Sequence, residues 1–151
     1  LAAVLALSQA RDWSGVRDAL RQYVAPPIAF SYADADGHIG LQVAGRIPVR
    51  ASGDGSSPGE GWTGASDWTG FVPFDEMPRM HDPAAGFVVA ANAEITPAES
   101  GCFLGRAIVE PYRQRRIAEL LAARPLLSCG TISSSRATRS PCTRGPCCRT
   151  S

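Results

Sequence analysis

A chain of 151 residues, 44% hydrophobic and 19% charged, is about one domain long and can bury a core, which excludes disordered, collagen-like and coiled-coil polypeptides. The net charge of +1 conceals a split: residues 1–124 hold 11 Arg against 14 acids, net −3, and residues 125–151 hold 4 Arg and no acid, net +4. An evenly basic surface for nucleic acid is therefore excluded. The longest apolar run, Leu1 to Leu7, falls short of the roughly 20 residues of a membrane helix and lacks the basic flank of a signal peptide. All 15 basic residues are Arg, a mark of GC-rich coding, and the opening Leu1 in place of Met implies that translation starts upstream.

In chain order, Trp13, Val16, Leu20, Tyr23 and Val24 recur at helical spacing, with Asp12 as an N-cap and Pro26-Pro27 as a stop, which predicts an amphipathic helix over Trp13 to Val24. Ile28, Phe30 and Tyr32 alternate, Asp34-Ala35-Asp36-Gly37 carries turn chemistry, and Ile39, Leu41 and Val43 alternate again: a β-hairpin. Ser52 to Asp67 is rich in Gly, Ser and Pro and reads as a surface loop. Phe71 and Phe74 flank Pro73 before Asp75-Glu76, a turn leading from an edge strand. Gly86 to Asn92 (GFVVAAN) is a short apolar run with the pattern of a buried strand, and Pro111 to Arg124 reads as a helix with Tyr112, Ile117, Leu120 and Leu121 on one side.

Most short motifs fail on a specific atom. Gly55-Ser56-Ser57-Pro58-Gly59 has the spacing of a hydrolase nucleophile elbow, but Pro58 has no N–H to give an oxyanion hole. The twelfth residue from Asp34 is Gly45, where a calcium loop needs a bidentate Glu, so the acidic stretch reads as a hairpin turn. His38 and His81 lack any metal-ligand spacing. Four of the five cysteines, Cys129, Cys142, Cys147 and Cys148, lie in the tail with neither a CxxC pair nor a nearby His. Trp62, Trp68 and Phe71 suit either a stacking platform or the edge of a core. Asn92, at the mouth of a strand, suits either a turn or the stabilisation of an oxyanion.

Five segments in order, FSYADADGHIG (30–40), GRIPVR (45–50), DWTGFVPFDEMPRM (67–80), DPAAGFVVAANAEIT (82–96) and EPYRQRRIAELL (110–121), resemble the β chain of the penicillin acylase family over about residues 1–127. The resemblance implies an α+β fold, part of the four-layer αββα sandwich of N-terminal nucleophile hydrolases. It implies an amidohydrolase acting on acylated small molecules such as β-lactam antibiotics or acyl-homoserine lactones. In the family the precursor cleaves itself into α and β chains, and the new N-terminal Ser of the β chain attacks the amide with its own α-amino group as base. The strand-end Asn of the family matches Asn92, an oxyanion donor, and the Arg at the start of the following helix matches Arg113, which positions groups around the active site.

The departures carry expectations of their own. Leu1 aligns inside the β chain, so no serine here takes the nucleophile's place and the chain is expected to be inactive alone. Ala93 stands where members often have a second Asn, and Gly101 stands near an acidic calcium ligand of some members, so no cofactor or metal is carried over. The implied partners are the α chain, the remainder of the β chain and an acylated substrate, without nucleic acid or membrane, and the implied location is periplasmic or secreted. Residues 128–151 depart from the family altogether. Codons exist for Gly130 to Ser151 that, read one nucleotide out of step, spell an Asp-rich start and a leucine-rich helix, which implies a frameshifted, disordered tail. A reading from another class is a non-catalytic ligand-binding module built on Trp62 and Trp68.

Overall fold

The computed structural model describes residues 1–91 and 111–123. Asp12 caps helix α2 (Trp13–Leu20) as its sequence predicts, its carboxylate accepting the Gly15 N–H at 2.7 Å. The helix closes at Leu20, four residues before the expected Val24. Gln22 and Tyr23 bond the carbonyls three residues back, and the Val24 carbonyl accepts instead from the Arg46 N–H at 2.8 Å. Ahead of it, the apolar run Leu1 to Leu7, unassigned in sequence, forms the short helix α1 (Ala2–Gln9) against α2. Among its residues only Ala3 is buried.

The hairpin forms as expected. Strand β1 (Ile28–Ala33) runs antiparallel to β2 (Ile39–Ala44), and Asp34 builds the turn by accepting the N–H groups of Asp36 and His38 at 3.0 and 2.9 Å. A second antiparallel pair joins β3 (Pro48–Arg50) to β4 (Trp68–Phe71), and between them Ser52 to Asp67 is the exposed loop foreseen from its composition. After β4 a 3₁₀ turn (Phe74–Glu76) leads to β5 (Arg79–His81), which pairs with the free edge of β2 to give the sheet order β1-β2-β5.

Strand β2 is therefore central and buried on both faces. Leu41 and Val43 face one way, Val43 meeting Ile47 and Met77 in the apolar core. Gly40, Gln42 and Ala44 face the other way, beneath α2. A Cβ on Gly40 would lie 2.8 Å from Trp13 Cζ3, so only glycine admits the indole there. One turn along, Arg17 Nε donates to the Gln42 amide oxygen at 3.1 Å, and the Gln42 amide nitrogen donates to the Val43 carbonyl at 2.8 Å. The side chain is fully buried and both its ends are paired.

One expected element is absent. Gly86 to Ala91 turns back through a Gly86 N–H to Pro83 carbonyl bond and continues without a strand ladder, with Phe87, Val88 and Val89 half-buried. An apolar run needs a neighbouring strand to become one, and among the described residues none pairs with it. Helix α3 (Tyr112–Ala122) follows prediction, with Ile117, Leu120 and Leu121 half-buried, whereas Tyr112 is 69% exposed at its first turn rather than on the apolar side. Mixed helices and antiparallel strands make the chain α+β, and no described helix is long and apolar enough to cross a membrane.

Candidate functional site

The two residues that sequence singles out for chemistry fare differently. Arg113 lies exposed on the first turn of α3, while Asn92 lies outside the described residues, as do residues 128–151. The approach to Asn92 is the irregular segment Gly86 to Ala91. The nucleophile-like Ser57 sits in the exposed loop, beside a cleft of about 450 Å³ lined by Arg50, Ser52, Asp54 and Ser66, with Pro58 following it. Trp62 is 84% and Trp68 62% exposed. Trp68 meets Phe71 edge-on at 6.1 Å and the Arg50 guanidinium at 5.9 Å, and among the described residues no ring pair joins the two indoles.

The structure brings together two clusters that spacing conceals, both along the Gly40–Gln42 face of β2. In the first, Arg17 on α2 and Arg21 at its C-cap, one turn apart, grip Asp75: Arg21 with both terminal nitrogens at 2.7 Å, Arg17 with one at 2.7 Å. Phe74 lies under both guanidiniums, at 4.8 Å from Arg21 and 5.4 Å from Arg17, and Arg79 donates to the Asp75 carbonyl. Hydrogen bonds from Arg21 and then Arg17 hold the Asp75 carboxyl down to about 2, and the Asp75 bond raises Arg21 in turn. A groove of about 250 Å³ opens beside it, between Tyr23, Val24, Arg46, Phe71 and Met77.

The second cluster sits at the other end of the same face. Asp82 Oδ1 accepts the Ile39 N–H at 2.9 Å, while Oδ2 faces His38 Nδ1 at 2.8 Å and His81 Nδ1 at 3.5 Å. The two imidazoles stack 5.7 Å apart, and Trp13 stacks on His81 at 5.1 Å. The Asp82 hydrogen bond raises the His38 pKa, and the Ile39 N–H, followed by His38, lowers that of Asp82. Nearby, the Tyr32 hydroxyl donates to Asp34 at 2.6 Å, which pushes the phenol up to about 12 and lowers the carboxyl. No sequence spacing could find the second cluster. His38 and His81 meet only because β2 and β5 pair in a register that sets Gly40 against His81.

Comparison with known proteins gives this framework relatives. The family model described as penicillin amidase matches residues 1–139. Acyl-homoserine lactone acylase QuiP of Pseudomonas fluorescens (strain Pf0-1) is 38% identical over 114 residues, 76% of this chain and 14% of that protein. Penicillin acylase 2 proenzyme of Pseudomonas sp. (strain SE83) is 38% identical over 92 residues, 61% of this chain and 12% of that protein. Among solved structures, a thermostable penicillin G acylase from Alcaligenes faecalis superimposes with a TM-score of 0.69 at 25% identity, covering 88% of this chain and 24% of that one. The chain thus spans only a small part of the length of these relatives. With its sequence matched from residue 1 to 139 and its α+β framework shared with a solved acylase, the chain belongs to the penicillin amidase family.

Proposed function

We propose that the chain is an interior-to-C-terminal segment of the β chain of an amidohydrolase that cleaves the linear amide of acylated small molecules, β-lactam antibiotics or acyl-homoserine lactones. The observation that carries this reading is the family match over residues 1–139, with equal identity, 38%, to an acyl-homoserine lactone acylase and a penicillin acylase. In the assembled enzyme an N-terminal Ser supplied by the preceding part of the β chain attacks the acyl carbonyl, and its α-amino group takes the proton. That proton passes to the departing amine, an acyl-serine ester forms, and water, activated by the same α-amino group, then releases the acid. Asn92 donates its side-chain N–H to the oxyanion of each tetrahedral intermediate, and Arg113 positions the groups around it. The α chain and the rest of the β chain complete the acyl pocket, and the assembled enzyme works in the periplasm or outside the cell.

Release of chromophore from a phenylacetyl or longer-chain acyl nitroanilide tests the reading. The chain alone is expected to give none, and the chain supplied with an α chain and a serine-bearing β segment is expected to turn over. In the assembled enzyme Asn92→Ala lowers kcat by about 10²–10³-fold, the scale of losing one oxyanion donor. Turnover by the chain alone refutes the external nucleophile, and undiminished kcat in Asn92→Ala refutes the role of the amide.

A further inference from the structure

We propose that His38, His81 and Asp82 form a binding site for a divalent transition-metal ion of the zinc type. Two imidazoles and one carboxylate are the donor set that such borderline ions take, whereas calcium and magnesium require oxygen ligands. One ligand atom from each residue lies within 4.8 Å of the other two. Zinc bonds of 2.0–2.2 Å in tetrahedral geometry set ligand atoms about 3.3 Å apart. The gaps from Asp82 Oδ2 to the two Nδ1 atoms, 2.8 and 3.5 Å, straddle that value. Both imidazoles are partly exposed, His38 to 54% and His81 to 39%, so their rings can turn onto an ion and solvent or an anion can fill its remaining position.

The surroundings already hold the ligands in place. Asp82 is bonded to Ile39 twice, accepting its N–H on Oδ1 and donating its own N–H to the Ile39 carbonyl at 2.8 Å, which leaves Oδ2 aimed at the imidazoles. Trp13, stacked on His81, keeps that imidazole beside the carboxylate. Such outer contacts orient metal ligands and support affinity. On binding, the ion takes the place of the proton between His38 Nδ1 and Asp82 Oδ2; from the imidazolium that proton passes to solvent, and in the neutral ring it moves to Nε2. The ion would fasten the start of β2 to the end of β5, so its binding energy adds to the stability of the sheet.

Isothermal titration of the untagged, chelator-treated full chain with zinc chloride, read beside its thermal melt, is the test. The expected result is saturable binding of one zinc per chain with a raised Tm, and no binding of calcium or magnesium chloride. His38→Gln and His81→Gln are each expected to weaken zinc by about tenfold or more, the scale of losing even a hydrogen-bond partner of a metal ligand. Asp82→Asn, which keeps the Oδ1 acceptor for Ile39, is expected to do the same with an unchanged far-UV circular dichroism spectrum. Cobalt(II) added to the unaltered chain gives a reading that needs no variant: visible tetrahedral bands without sulfur-to-metal charge transfer. Absence of saturable zinc binding overturns the proposal. So does zinc binding that survives both His substitutions, or that carries sulfur-to-cobalt charge transfer and disappears in Cys147→Ser/Cys148→Ser.

Discussion

Asp75 and Asp82 each meet two basic side chains along one face of β2, yet the two clusters differ in what their members can still do. Around Asp75 both carboxylate oxygens receive guanidinium donors, and Arg17 and Arg21 have no lone pair to offer a cation. That cluster is closed, a clamp tying α2 to the turn before β5. Around Asp82 one oxygen holds the backbone of Ile39, and the other meets two imidazoles, each of which, when neutral, can offer a lone pair on one nitrogen. One carboxylate set between two basic side chains thus yields a fastening in one place and a ligand set in the other. The choice of Arg or His decides which.

Removing the shared support should break both at once. Leu41→Ala, in the fully buried centre of β2, is expected to cost about 2–5 kcal/mol by chemical denaturation and to abolish both clusters together. A finer cut is Gln42→Ala, which strips the buried partner of Arg17 and leaves the Val43 carbonyl without its amide donor, for about 1–3 kcal/mol. Zinc affinity should survive this change if the two clusters are separable, as titration of the variant would show.

Acid separates the clamp from the rest of the fold. Because Asp75 is held at about 2 against an ordinary 3.8, its contribution is fully present above the ordinary value and is lost as pH falls through the folded one. Asp75→Asn should therefore flatten the dependence of the midpoint of unfolding on pH between about 4 and 2, measured at constant ionic strength. The smallest effect belongs to the loop: Trp62→Ala, at an 84% exposed position, should change stability by no more than about 0.5 kcal/mol. A larger loss would give that indole a packing role that its exposure denies.

Local chemistry was legible where neighbours in sequence are neighbours in space. The Asp12 cap, the Asp34 turn, the alternation of β1 and β2 and the Pro111 start of α3 all follow from residues within a few positions of each other. Pairing across distance was not. Nothing between Leu41 and Met80 announces that β5 will lie beside β2, and so neither the burial of Gln42 nor the meeting of His38 with His81 could be read. The same limit misled the reading of Gly86 to Ala91, where apolar composition promised a strand without naming its partner. Of the two residues marked for catalysis, only Arg113 falls within the described residues, on the helix predicted to carry it.

Asp82 has a backbone φ of +46°, a region that Gly, Asn and Asp visit with little penalty and bulky or β-branched residues avoid. The corner therefore tolerates a short alphabet of three, of which one alone carries a negative charge. A change from Asp to Asn removes the charge of the corner while keeping the acceptor for the Ile39 N–H, so charge and shape are separable there.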